Sequence, residues 1–482
     1  MKNRRFFMLP LVALAIHAGF ANAQSASPSV NADASISGIW QGVLDAGPAK
    51  LRIVFHISRN EDGSYTTTLD SPDQGAKGIP VSKTEFADGK LSLSVAVIHG
   101  SYEGTLNSDR TEFAGTWTQG GVSLPLSLKP VEQVEERKRP QNPTKPYPYE
   151  EIEVEYDNKD ADSHLAGTLT LPPGNGPFPA ALLITGSGQQ DRDESIMGHK
   201  PFLVLADHLT RQGIAVLRVD DRGVGGSTGE VKTATSADFA TDVAAGVKFL
   251  QQQPRIDKTR VGLIGHSEGG LIAPIVAAKN RDVAFVVLMA GPGVTGEEIL
   301  REQLKLILEA GGEDQAVIDS ERALQDELLK YARADDDDLS EAQHRADQVL
   351  RKSYERLTPA QKQAVGDVDT FVTQKLNAVE SPWMRYFVRT DPREFLRQVR
   401  CPVLAINGEK DLQVPPSQNL PEIDKALQAG GNTDITIREF TGLNHLFQTA
   451  STGHIAEYAE IDETINADVL KFMSDWILKK TQ

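Results

Sequence analysis

Cysteine is almost absent from this 482-residue chain: Cys401 stands alone. A single thiol excludes an intrachain disulfide, a Cys-based zinc site and a dithiol redox pair. Positive charge is also scarce, with 50 Lys and Arg against 67 Asp and Glu and a net charge of −17. A surface of that sign repels phosphate backbones and anionic lipid, so neither nucleic acid nor a lipid surface is an expected partner. Aromatic residues make up 6% of the chain and tryptophans number four. Ligand loops with recognisable geometry are missing too. Asp335-Asp-Asp-Asp338 puts four carboxylates side by side, without the spacing and glycine turn of a calcium loop. Asp220-Asp221-Arg222-Gly-Val-Gly-Gly-Ser227 is glycine-rich but lacks the G-x-G-x-x-G frame of a dinucleotide site, and a structural turn with Arg222 paired to a carboxylate is expected there. No metal and no cofactor are expected.

What remains is the composition of a soluble globular protein, 39% hydrophobic and 24% charged, in a chain long enough for two or three domains. Residues 1–23 read as a secretory leader: Lys2, Arg4 and Arg5, then an apolar middle, then Ala21-Asn22-Ala23 as the cleavage site. Pro10 and His17 interrupt an apolar run too short to span a bilayer, so no membrane span is expected after cleavage. The mature protein is expected in the periplasm or outside the cell. Residues 36–129 alternate polar and apolar with glycine turns about every ten positions, which predicts an antiparallel all-β domain. Trp40 and Trp117 are expected to fill its core. Residues 130–149 are charged and proline-rich and read as a linker.

From residue 150 to 482, strand and helix patterns alternate, the signature of a mostly parallel sheet covered by helices. Strands are expected at 151–156, 165–171, 180–185, 214–219, 261–264, 283–289, 403–406 and 435–440. Helices are expected at 200–212, 237–252, 267–279, 417–428 and 463–479. Residues 296–398 break the alternation with an acidic helical insertion, in which Ser381-Pro-Trp383-Met-Arg-Tyr386-Phe is the apolar patch expected to face a ligand.

The apolar run Val261-Gly-Leu-Ile264 ends at Gly265-His266-Ser267-Glu268-Gly269, a G-x-S-x-G between a strand pattern and a helix pattern. Glycines there let strand and helix approach while the serine hydroxyl projects from the turn. Ser267 is therefore the candidate nucleophile. A base and an acid should follow on loops after later strands, in the order serine, acid, histidine. Asn407-Gly-Glu-Lys-Asp411 supplies Asp411, with Glu409 as the alternative acid, and Thr441-Gly-Leu-Asn-His445 supplies His445. An oxyanion needs backbone N–H donors from the residue after the nucleophile, Glu268, and from the turn Thr185-Gly186-Ser187-Gly188, where Ser187 is the aligned donor and Gly188 the alternative. His266 should point away from the nucleophile, and His454 is expected at the surface. Asp191-Arg192-Asp193-Glu194 is expected to pair internally and with the insertion.

Eight strands with G-x-S-x-G after the fifth resemble the α/β-hydrolase fold. The combined motifs Ile184-Thr-Gly-Ser-Gly-Gln-Gln-Asp-Arg-Asp-Glu, Asp221-Arg-Gly-Val-Gly, Gly265-His-Ser-Glu-Gly-Gly, Asn407-Gly-Glu-Lys-Asp and Gly442-Leu-Asn-His-Leu-Phe-Gln resemble those of secreted bacterial EstD-type esterases, akin to the S33-like serine aminopeptidases of the same fold. The resemblance implies hydrolysis of small, short-chain carboxylic esters by a Ser-His-Asp triad without a cofactor, and an insertion that forms a lid. Two other readings stay open: peptide or amide hydrolysis by the same triad, and an inactive binding protein on this scaffold. Oligomeric state cannot be read from the chain.

Overall fold

A computed structural model describes residues 35–45, 50–74, 76–98, 100–119, 122–134, 138–335, 337–357, 362 and 365–482. The expected leader at 1–23, part of the linker and Asp336 lie outside the described residues. Two compact units are formed, Met1–Arg137 with Arg351–Thr373, and Lys138–Leu350 with Gln374–Gln482.

In the first unit the described strands are β1 (Gly38–Asp45), β2 (Lys50–Arg59), β3 (Tyr65–Ser71), β4 (Ala76–Pro80), β5 (Lys83–Ala87), β6 (Lys90–Val95), β7 (Gly100–Leu106), β8 (Phe113–Gln119) and β9 (Val122–Val131). They form one antiparallel sheet in the order β4-β3-β2-β1-β9-β8-β7-β6-β5. The sheet curls on itself, and a hydrogen bond between the Thr84 and Thr67 hydroxyls (3.0 Å) links β5 to β3. Alternation puts one face inside, as expected of half-buried strands. Trp40 and Trp117 are buried in that interior with Phe55, Tyr102 and Phe113, and Trp40 meets Phe113 edge-on at 4.6 Å. Both tryptophans are therefore core residues of the β domain.

The second unit holds β10 (Glu150–Asn158), β11 (Ser163–Leu171), β12 (Phe178–Ile184), β13 (Ala215–Val219), β14 (Ile256–His266), β15 (Val286–Met289), β16 (Val403–Gly408) and β17 (Ile435–Phe440). Their order is β10-β11-β13-β12-β14-β15-β16-β17. The sheet is mixed: pairs from β13 through β17 are parallel, whereas β10 with β11 and β11 with β13 are antiparallel. Successive residues of the central strands feed opposite layers. Leu182, Leu263 and Val286 belong to one core cluster, and Leu183, Ile264 and Val287 to the other. Strands buried on both faces must read as unbroken apolar runs, which is how these were legible.

Helices α1 (Pro201–Arg211), α2 (Ser236–Gln251) and α3 (Gly269–Lys279) connect the early strands. The insertion contributes α4 (Gly296–Ala310), α5 (Gln315–Arg333), α6 (Leu339–Glu355), α7 (Val368–Glu380), α8 (Pro382–Arg389) and α9 (Pro392–Leu396). After it come α10 (Pro416–Ala429) and α11 (Ala467–Lys480). The insertion is not all of one unit, because residues 351–373 group with the first. Within that piece Tyr354 packs on Phe371 at 5.6 Å, and its hydroxyl donates to Gly366 O (2.9 Å).

Residues 130–149 do not behave as a plain linker. Val131 ends β9, while Arg139 is buried and donates to the carbonyls of Met197 (2.8 Å), Ala459 (3.1 Å) and Ile461 (2.5 Å). Gln141 accepts from Ile465 N (3.0 Å), and Tyr149 donates to Asp207 (2.9 Å). A guanidinium with several carbonyl acceptors fixes this strand of chain to the second unit, which a proline-rich composition alone could not reveal. Among the described residues no helix is long and apolar enough to cross a membrane.

Candidate active site

The turn after β14 is held by steric necessity. A Cβ on Gly265 would lie 2.0 Å from Gly269 O, and one on Gly269 would lie 2.2 Å from Ile184 O, so both positions exclude a side chain. Between them Ser267 adopts φ +52°, a left-handed conformation that a non-glycine residue takes only when its surroundings impose it. Its N–H donates to Met289 O (2.9 Å) and its carbonyl accepts from Gly270 N (2.8 Å). The hydroxyl makes no hydrogen bond among the described residues. The helix begins at Gly269, two residues later than the expected 267, because Ser267 and Glu268 form the turn itself.

Asp411 and His445 meet as expected, with His445 Nδ1 2.8 Å from Asp411 Oδ2. Both are buried, at 2% and 4% exposure. The other carboxylate oxygen, Asp411 Oδ1, accepts the N–H groups of Gln413 and Val414, each at 2.8 Å. The loops after β16 and β17 are clasped by Lys410 N to Leu443 O (2.8 Å), and buried Asn444 organises the histidine turn by accepting from Leu446 N (3.1 Å) and Gln448 N (2.9 Å). Glu409, the alternative acid, is exposed and accepts from Gly442 N (2.8 Å), away from the ring. No hydrogen bond joins Ser267 to His445 among the described residues. The histidine ring instead lies 4.9 Å from that of His266, the residue next to Ser267. Catalytic serine–histidine contacts are often long without substrate and tighten when it binds.

Neither the Ser187 nor the Glu268 N–H has a protein acceptor among the described residues, as a pair of oxyanion donors requires. The Gly186 N–H is taken by Glu194 Oε1 at 2.7 Å. Thr185 donates its hydroxyl to Asp221 Oδ1 (2.8 Å), and Gln190 N donates to Asp221 Oδ2 (2.9 Å), which together fix the loop. Burial pushes the Asp221 carboxyl well above the usual carboxylate range.

Several participants went unseen in the sequence. The Glu268 side chain is buried and accepts from Ser236 Oγ (2.6 Å) and Trp383 Nε1 (2.8 Å), so it pins α8 of the insertion to the turn that carries Ser267. Burial raises its carboxyl above the ordinary value. Trp383 stacks on Phe387 at 5.4 Å. Trp383→Phe, which strips a donor from this carboxylate, is expected to lower the free energy of unfolding by about 1–3 kcal/mol in urea melts. Among the described residues no ion pair joins the charged run at 191–194 to the insertion. Arg192 binds Asp220 (2.7 Å) and Glu153 (2.5 Å), Asp193 pairs with Arg218 and Lys200, and Glu194 meets His266, because strands β10 and β13 lie beside this loop. Arg222 pairs with Asp242 (2.7 Å), as expected of a structural turn. His454 is half-buried rather than superficial: its Nδ1 accepts from Ala456 N (3.1 Å), capping a short turn.

The family profile described as X-Pro dipeptidyl-peptidase (S15 family) matches residues 160–434, more than half of the chain. The chain belongs to the S15 family. That family is one of hydrolases, and this S15 member carries the α/β-hydrolase architecture its motifs implied. It is 35% identical over 147 residues to Esterase EstD of Thermotoga maritima, a stretch covering 30% of this chain and 35% of that protein. It is 28% identical over 133 residues to acyl-coenzyme A amino acid N-acyltransferase 2 of Rattus norvegicus, covering 27% of this chain and 28% of the other. The S15 member thus aligns with about a third of the length of these relatives. Among solved structures, the α/β hydrolase GrgF from Penicillium sp. sh18 matches over 69% of this chain and 99% of its own, with 15% identity and a TM-score of 0.43.

Proposed function

We propose that this protein is a serine carboxylesterase acting on small, short-chain esters. Ser267 attacks the ester carbonyl while His445 takes its proton, and Asp411 holds the ring in the tautomer that leaves Nε2 free. The oxyanion is received by the N–H groups of Ser187 and Glu268. The alcohol leaves with the proton from His445, and water activated by the same ring releases the acid from the acyl-enzyme. The observation that supports this most is the buried Asp411–His445 pair at the same sheet rim as a serine in left-handed backbone geometry. The insertion 296–398 acts as a lid whose Trp383 is anchored to Glu268. The leader read in residues 1–23 directs the protein to the periplasm or beyond.

The S15 description favours a second reading, cleavage after an X-Pro pair by the same residues. The two readings separate on a p-nitrophenyl ester series run beside X-Pro p-nitroanilides. The expected result is the highest kcat/KM on acetyl and butyryl esters, falling with chain length, and little turnover of the anilides. Preference for the anilides would replace the esterase reading with the peptidase one.

A further inference from the structure

A second histidine–carboxylate pair stands next to the first. His266 Nδ1 lies 2.9 Å from Glu194 Oε1, and His266 Nε2 lies 3.1 Å from the backbone carbonyl oxygen of His445. Both side chains are buried, at 8% and 4% exposure. The acceptors around the ring constrain its hydrogens. A carbonyl oxygen only accepts, so Nε2 carries a hydrogen. Glu194 Oε1 already accepts the Gly186 N–H, and a carboxylate oxygen can accept from Nδ1–H as well. A carboxylate at Glu194 therefore pairs with a His266 protonated on both nitrogens, an imidazolium. The arrangement is also built at a cost, because Glu194 holds φ +52° and such backbone persists only where its surroundings over-determine it.

We infer that His266 is a positioning residue: with Glu194 it forms a buried imidazolium–carboxylate brace that ties the oxyanion loop to the main chain of His445 and sets a positive charge beside its ring. The kinetic half of this inference rests on the proposed role of His445, while the state of the brace does not.

The charged groups facing His266 are Glu194 from the loop after β12 and Asp411 from the loop after β16, with the His445 ring beside it from the loop after β17. Glu194 in turn acts on Asp221, after β13, whose carboxyl it helps to hold up beside the larger effect of burial. Burial alone would drive His266 towards neutrality, but the charge and hydrogen bond of Glu194 outweigh it, and the ring holds its proton above its ordinary value of 6.5. The brace therefore stabilises the fold fully below that pH, and the contribution is lost as pH rises through the folded value. The His445 ring lies 4.9 Å from that of His266.

The test uses the full chain labelled with 15N-histidine. Long-range proton–nitrogen spectra are recorded between about pH 6 and 9, a window that brackets ordinary histidine titration. The His266 signals are identified by their loss in His266→Gln. The His266 ring should lose its second proton at a higher pH than an ordinary histidine, and Glu194→Gln should bring that loss down towards or below the ordinary value. In parallel, His266→Gln should move the acidic limb of kcat/KM to higher pH, because it removes a positive charge beside the proposed base. A side chain that merely fills space would lower the rate and leave that limb in place. A His266 that titrates at or below the ordinary histidine value in the wild type, or an unmoved limb in His266→Gln, would overturn the inference. Failure of the esterase reading has a different signature, absent turnover on esters with the ring spectra unchanged.

Discussion

Ser267→Ala is expected to reduce ester turnover on the order of a millionfold while leaving the melting temperature and circular dichroism unchanged. The size follows from the loss of the covalent route. Without the hydroxyl, hydrolysis must proceed by direct attack of water, aided only by the oxyanion donors and substrate binding. The fold should survive because the substitution removes one atom that bears no hydrogen bond among the described residues, and alanine is no more strained than serine at φ +52°. The N–H of residue 267 keeps its bond to Met289 O (2.9 Å), so the turn retains its shape. A fluorophosphonate probe checks the same point covalently: it should label the wild type and not the variant. Turnover within about tenfold of the wild type, or labelling at another residue, would remove Ser267 from the chemistry.

The parts of this molecule written in short-range pattern were readable, and those made by distant pairs were not. Val403 to Ile406 reads as a strand because each residue is buried in one of two layers. Gly265 and Gly269 are readable because no other residue fits. Asp411 could be preferred to Glu409 on motif alone, but the physical reason lies in the turn, where the shorter side chain folds back onto the N–H groups two and three residues on. By contrast, Glu194 and His266 are 72 positions apart, and Trp383 and Glu268 are 115 apart. Nothing in periodicity or composition marks such partners. The charged run 191–194 shows the same limit: its charges could be counted, yet only the strand order reveals that Asp220 and Arg218 on β13 and its loop, and Glu153 on β10, are the neighbours it meets. Arg139 in the supposed linker is a further case, since its acceptors lie up to 322 positions away.

Asp411→Asn is the sharper test of how the site works, because it should preserve the loop and still lower kcat by about ten-thousandfold. Asp411 Oδ1 accepts two backbone N–H groups, and an asparagine oxygen can accept both, so the turn to Val414 stays satisfied. The other branch of the side chain then becomes an NH2 group facing His445 Nδ1, where a carboxylate oxygen now sits at 2.8 Å. That group donates where the carboxylate accepted, so Nδ1 must accept and the ring hydrogen moves to Nε2. A ring with its hydrogen on Nε2 cannot take the Ser267 proton, and no anion remains to stabilise the imidazolium that catalysis would form. Raising the pH should not restore the rate, because the defect is the wrong tautomer and not the wrong charge. Asp411→Ala differs in kind: it leaves the N–H groups of Gln413 and Val414 without their acceptor, and should lower stability by about 1–3 kcal/mol as well as activity. Asn matching the wild type in stability but not in kcat, beside Ala deficient in both, is the pattern expected if Asp411 orients His445. Near-wild-type kcat in Asp411→Asn would mean that another group holds the ring.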